Sequence, residues 1–395
     1  MSRAPPTTSF VLPVTAMLAV QVAVSAAVLS LSVTMPAVAR DLGIDPKTVG
    51  LFTALTYAVA VPLAVVAARL VRGVGAVRTC QLALLFAALG LALNAAGAFL
   101  ATTIAALLIG FAQGPGNPAA SHILAQRVPR ERFGLVFSIK QTGVPLGFAL
   151  AGAALPPTVA ALGWQGASLA SAALLVAAIV ALEPFRASLE RGVAPPTPPP
   201  GLFASVRIVL ADPALRVLAW SSLVYVVAQH TFTFYLVVFL YERHGFDLIS
   251  AGLLLGAAQI VGTLVRLAFG WAGDRVPRRS LLAWIGFAIA GAALATGLMP
   301  ADAPKSVVAA VVLAYGAVVI SWNGVSIAEF AHLAPPGQTA LATGVQTAFA
   351  YSGAVIGPPL FGLLAALTGY GAAFAAVAVA VLAAAILQGR ASRRA

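Results

Sequence analysis

The sequence predicts an all-α integral membrane protein whose twelve transmembrane helices form two pseudo-symmetric six-helix bundles. Three observations carry that expectation. The 395 residues are 61% hydrophobic and only 9% charged, an apolar excess about twice that of a soluble domain. Their apolar stretches number twelve, each near the ~20 residues that cross a bilayer. Short polar motifs also recur between the two halves at a nearly fixed offset. The 36 glycines and 26 prolines would disrupt soluble helices, whereas packed membrane helices re-satisfy the freed backbone groups through their neighbours. The net charge of +12 is scattered between apolar stretches, which argues for membrane topology and against a nucleic-acid partner. A single cysteine, Cys80, excludes an intramolecular disulfide framework and a thiolate metal site. No cofactor is implied.

In chain order the spans fall near 10–35, 48–71, 76–98, 100–126, 133–157 and 166–183, then 213–241, 248–273, 280–299, 305–333, 339–367 and 371–388. Spans two and seven have sharp starts at Asp45-Pro46 and Asp212-Pro213. There the carboxylate accepts from free N–H groups of the first turn, and proline has no N–H to leave unpaired. Residues 184–212 contain Arg186, Glu190, Arg191 and a run of five prolines and one threonine at 195–200. They read as a stiff extended linker between an N-terminal bundle (1–183) and a C-terminal bundle (213–395).

The placement of Lys and Arg tests this topology. Seventeen of the 23 lie on the side of both termini and the linker, while Arg40, Lys47, Arg243 and Lys305 lie on the other and Lys140 and Arg266 fall inside spans. Cytoplasmic loops are enriched in positive charge, so both termini and the linker are expected in the cytoplasm and the protein in the cytoplasmic (inner) membrane. Internal symmetry is also visible. Gly43-Ile44-Asp45 with Gly50 recurs as Gly245-Phe246-Asp247 with Gly252, 202 residues on, and Asn117 and Pro129 match Asn323 and Pro335 at an offset of 206. Two six-helix repeats around a central site are a transporter architecture.

The segment Gly270-Trp271-Ala272-Gly273-Asp274-Arg275-Val276-Pro277-Arg278-Arg279 resembles the loop signature of the major facilitator superfamily after its eighth span, with Pro277 at a usual glycine. Its first-half counterpart, Ala68 to Gly75 and Arg78, carries Arg72 where the family has aspartate. The resemblance implies the major facilitator fold over essentially the whole chain. A gate is implied too: Asp274, followed by Arg275, would sit against the positive N-terminus of span five and pair with Arg130 or Arg132. The exporter signature Gly-x-x-x-Gly-Pro is missing from span five, which reads Gly143-Val144-Pro145-Leu146-Gly147. The same spacing at Gly353, Gly357 and Pro358 in span eleven is read as helix packing.

Ionisable groups inside a bilayer cost several kcal/mol unless they face a cavity or a partner. Lys140, Arg266 and Glu329 share a depth, ~9 to 12 Å from the cytoplasmic helix ends. The superfamily fold places spans five and eight side by side, so Lys140 and Arg266 are expected near one another on the cavity wall, where two cations want an anion. A planar guanidinium matches the two oxygens of a carboxylate. The spacing Arg266-x-x-x-Gly270-x-x-x-Asp274 is also similar to span eight of monocarboxylate and oxalate/formate-type porters, where the arginine binds substrate carboxylate. Snorkelling to the interface is the competing reading of both cations. Glu329 is expected to act either as a proton carrier or as the structural counter-ion of one of them. His230 is a second proton-coupling candidate because imidazole titrates near physiological pH. Asn117, Asn323, Tyr57, Gln141, Trp322, Gln346 and Tyr351 complete the expected substrate-binding set, and Gly114-Pro115-Gly116-Asn117-Pro118 suggests an opened backbone turn beside it.

These readings converge on a secondary active transporter that moves a mono- or dicarboxylate by proton symport or anion exchange. A monomer in the lipid bilayer, with a small anion as its partner, is expected. Proton-coupled export of amphipathic drugs, or carriage of another neutral or zwitterionic solute, is the alternative. Gly-x-x-x-x-Gly-Lys-Ser/Thr occurs nowhere, so the energy comes from gradients. No zincin His-Glu-x-x-His or nucleophile–base spacing supports a polytopic membrane enzyme, and a receptor with a soluble output domain is not expected.

Overall fold

The computed structural model describes residues 11–127, 136, 139–193, 202–273, 275–333 and 339–392, and among them all regular structure is helical. Eleven helical stretches are long and apolar enough to cross a membrane. One of them, Ile139–Glu190, has 52 residues and as a straight helix would run ~78 Å, far beyond a bilayer core of ~30 Å. It breaks at Gly163, whose φ of 70° is a conformation glycine adopts without a Cβ clash. Divided there, the chain crosses twelve times. Spans one to six are Val11–Leu42, Val49–Val74, Ala76–Asn94, Phe99–Arg127, 143–162 and 164–182. Spans seven to nine are Pro213–His244, Leu248–Gly273 and Arg278–Leu298; span ten is Lys305–Val319 with Asn323–Leu333; spans eleven and twelve are Thr339–Thr368 and Tyr370–Ser392. An even number of crossings puts both ends on one face, the terminal face.

The predicted starts and the repeat have a direct structural form. Asp45 Oδ1 accepts from Lys47 N at 2.8 Å, and Asp212 Oδ1 accepts from Ala214 N and Leu215 N at 2.8 and 2.9 Å. Gly43 and Gly245, with φ of 65° and 61°, turn the chain out of spans one and seven. Asp247 then caps span eight, accepting from Ser250 N at 2.9 Å and Ser250 Oγ at 2.6 Å. The 202-residue offset is therefore one helix–turn–helix built twice.

Span two packs along four, three along four and one along five in the first half; seven packs along eleven and nine along twelve in the second. The halves meet through five against eight, two against eleven and one against seven. Glycine sets these distances: a Cβ on Gly252 would fall 2.3 Å from the Gly152 carbonyl oxygen, and one on Gly50 would fall 2.5 Å from that of Pro358. Close backbone approach is a main source of packing energy between membrane helices. Outward-facing leucines such as Leu174 and Leu298, more than 70% exposed, present the apolar surface that lipid covers.

Two expectations are corrected. The segment 184–212 is not simply extended: Arg186–Glu190 and Leu202–Ala211 are helical, while the prolines at 195–200 lie outside the described residues. Glu190 Oε1 accepts from Val77 N at 2.8 Å, and Arg186 pairs with Glu183 and Glu190 at 3.2 and 3.8 Å. The chain leaving span six thus folds onto the start of span three. Span four, in turn, stays helical through Pro115 and Pro118. Gly114 serves contact with span two, since a Cβ there would fall 2.6 Å from Leu63 Cβ. The opened backbone lies instead in span ten, between Val319 and Asn323.

Candidate functional site

A stripe on span four organises the centre of the molecule. Gln113, Asn117 and Ser121 recur every four residues and so share one helix face. Lys140 is 1% exposed; its ammonium donates to Asn117 Oδ1, and to Ser121 Oγ at 3.1 Å. The Tyr351 phenol of span eleven lies against the Gln113 and Asn117 side chains, which brings the stripe up to the second half. Tyr351 lies edge-on to Tyr57, ring centroids 5.6 Å apart, and Tyr57 lies edge-on to His230 at 5.0 Å. His230 Nδ1 is 3.2 Å from the Val226 carbonyl oxygen and Nε2 is 3.1 Å from Tyr57 Oη. A carbonyl only accepts, so Nδ1 carries the proton and Nε2 accepts from the Tyr57 hydroxyl. Phe148 and Phe234 complete the aromatic centre.

Arg266 is partly buried and turns to its own half. Its Nε and Nη2 donate to the Ile320 carbonyl oxygen at 3.1 and 2.6 Å. Ile320 ends the first segment of span ten, where carbonyls lose their intrahelical donors, so the guanidinium caps the helix break. Asn323 opens the next segment. Lys140 and Arg266 are thus held by span four and span ten, with no hydrogen bond between them, and among the described residues neither meets a carboxylate.

Glu329 does not serve as counter-ion to either cation. Arg279 Nε donates to its Oε1 at 3.0 Å, in a pair whose side chains are 14% and 8% exposed. Matching depth along the helices did not reveal that the start of span nine lies beside Glu329. Trp322 is fully buried and its Nε1 donates to Gln229 Oε1 at 2.9 Å. Gln346 Nε2 donates to Ser326 Oγ at 3.5 Å, and Ser326 bonds Ser222 at 2.9 Å. Trp322 and Gln346 therefore tie helices together within the second half. Gln141 Oε1 is buried without a hydrogen-bond partner, an acceptor open to a donor. Asp274, Arg130 and Arg132 lie outside the described residues. Arg275 stacks over the Trp271 ring at 3.7 Å and donates to the Trp271 carbonyl oxygen at 3.1 Å, so it binds the end of its own span.

A second constellation, on the face opposite the termini, escaped sequence reasoning. Lys47 of the first half pairs with Glu242 of the second at 3.1 Å, and Glu242 also accepts from Tyr370 Oη at 2.7 Å. Arg40 Nη2 donates to Tyr241 Oη at 2.6 Å. Tyr235 Oη contacts the carbonyl oxygens of Lys47 and Pro358 at 2.8 and 3.0 Å, knitting spans two, seven and eleven together. The only sequence signal was that Arg40, Lys47, Tyr241 and Glu242 sit within a turn or two of the duplicated Gly-x-Asp turns and Tyr370 at the start of span twelve.

The sequence profile of the Major Facilitator Superfamily matches residues 17–345. The chain belongs to this superfamily. Two uncharacterized MFS-type transporters, from two strains of Mycobacterium tuberculosis, are each 30% identical over 313 residues, covering 75% of this chain and 68% of the relative. Among solved structures, a bacterial homolog of the human lysosomal transporter Spinster, inward-facing and unoccupied, matches with a TM-score of 0.82 and 14% identity, covering 99% of this chain and 98% of that one. The peptide transporter POT in complex with sulfate matches with a TM-score of 0.81 at 14% identity, covering 98% and 96%. At these identities the likeness is one of fold. As a superfamily member, the protein is a multi-pass membrane transporter.

Proposed function

We propose that the protein moves a small organic anion, a mono- or dicarboxylate, across the cytoplasmic membrane by alternating access, with both termini and the 184–212 segment in the cytoplasm. The observation that carries this reading is charge. Lys140 and Arg266 lie at membrane depth with no carboxylate partner among the described residues, while Glu183, Glu190, Glu242 and Glu329 are each paired with other cations. An anion entering between the halves would take up the excess, the ammonium acting as a point charge and the unoccupied side of the guanidinium as a fork. Asn117, Tyr351 and the free Gln141 carbonyl orient the remaining polar atoms of the substrate.

The His230 geometry supports proton symport over anion exchange. In the neutral ring Nε2 accepts from Tyr57; a proton added at Nε2 turns that acceptor into a donor, and the Tyr57 hydroxyl must rotate or leave. Because Tyr57 and His230 belong to opposite halves, protonation biases the contact that separates when the halves rock. The rings of Tyr57, Phe148, Phe234 and Tyr351 favour a second reading, an amphipathic or zwitterionic solute. A thermal-shift panel decides between them, because a bound ligand stabilises by mass action. Carboxylates should raise the melting temperature of wild type and not of Lys140→Ala. Stabilisation by neutral amphiphiles alone would overturn the anion reading.

A further inference from the structure

We propose that the second half carries a binding site for an anionic phospholipid headgroup on the terminal face, formed by Arg216, Arg279 and Arg390. The beginnings of spans seven and nine and the end of span twelve meet there around a cavity of about 490 Å³. All three arginines line it, together with Pro213, Val217 and Leu387. Arg279 shares its charge with Glu329. Arg216 and Arg390 have no ion-pair partner among the described residues, and the nearby Asp212 is occupied in capping span seven.

Depth points to lipid. Trp220, one turn beyond Arg216, is 52% exposed, and Trp284, five residues beyond Arg279, is 70% exposed. Exposed tryptophans on membrane helices settle at the boundary between hydrocarbon and headgroups, so the arginines one turn outward stand at phosphate level. A phosphodiester carries one negative charge and two unesterified oxygens, which suit an arginine fork, and basic pockets between spans hold such headgroups. Exposed Leu387, three residues before Arg390, continues the cavity toward the hydrocarbon and offers an acyl chain apolar contact. Free phosphate would leave that apolar side of the cavity unused.

Native mass spectrometry of the full-length protein, titrated in detergent with phosphatidylglycerol, phosphatidylcholine or inorganic phosphate, tests the site. Wild type should retain phosphatidylglycerol at least about tenfold better than phosphatidylcholine, and Arg216→Gln with Arg390→Gln should abolish that preference. Replacing both by lysine should restore most of it. Should the glutamine pair fail to fold, Leu387→Glu provides the same readout, with retention falling about tenfold. Equal retention by wild type and variant overturns the proposal, as does displacement of the lipid by millimolar inorganic phosphate, which would make this a phosphate site.

Discussion

Gly252→Ala places one methyl group in a close backbone contact between the halves. The new Cβ would lie 2.3 Å from the Gly152 carbonyl oxygen and 2.5 Å from Pro156 Cγ, about 1 Å inside ordinary contact distance of ~3.5 Å. Both obstacles are backbone or ring atoms that cannot rotate aside, so spans five and eight must separate. Overpacking of this kind costs ~1–3 kcal/mol. Borne only by the conformation in which the face opposite the termini is closed, it shifts the closed-to-open ratio by about five- to 150-fold. Electron–electron resonance between spin labels at Ala98→Cys and Ala301→Cys, exposed on that face in opposite halves, reads the change in nanodiscs; the buried Cys80 is replaced by serine. The short-distance population should shrink in Gly252→Ala. It should not change in Gly270→Ala, where nothing lies within 4 Å of the added Cβ. Identical distributions in Gly252→Ala and its parent would refute the reasoning.

Tyr57→Phe leaves His230 Nε2 without its donor, which costs ~1–3 kcal/mol for a buried acceptor. Substrate-driven proton uptake, followed with a pH-sensitive dye, should fall, and unchanged proton uptake would remove His230 from the coupling. Glu242→Gln removes the charge paired with Lys47; at about one-fifth exposure of each side chain the pair is worth up to ~1 kcal/mol. The same spin-label distances should shift by about fivefold in population at most, and less in high salt. The Ser250 hydroxyl and amide hold the Asp247 carboxyl below its usual range. Its contribution to stability is therefore complete above the unfolded value of ~3.9 and is lost as pH falls below that toward the folded value. Asp247 is exposed, so Asp247→Asn should flatten the acid limb of the melting profile only slightly, whereas Asp247→Ala should also lose about 1 kcal/mol of capping at neutral pH.

Local signals were legible in the sequence because their causes are local. An apolar stretch, an Asp-Pro cap or the twice-built Gly-x-Asp turn needs only neighbours in the chain. The break in span ten has no proline or glycine at 320–322; it is marked by Arg266, 54 residues away, and only the fold brings that guanidinium to the Ile320 carbonyl. Span four shows the converse, for it carries Pro115 and Pro118 yet stays helical with its glycine set against span two. The depth of Lys140 was readable from its distance to the helix end. Depth says nothing of direction around a helix, which is why spacing alone does not show that Arg279, rather than Lys140 or Arg266, pairs with Glu329. The contacts on the face opposite the termini join residues about 200 positions apart, and no composition or spacing pairs them.

The central claim, that two cations at membrane depth hold an anionic substrate, is tested most directly by initial uptake of radiolabelled carboxylates into proteoliposomes containing wild type, Lys140→Ala or Arg266→Ala protein. Truncating either cation should cost at least ~2 kcal/mol of substrate binding, about thirtyfold in affinity, in protein that inserts and melts as wild type does. Carboxylate uptake that is saturable in wild type and lost in both variants is the predicted result. Undiminished uptake in both variants would contradict it.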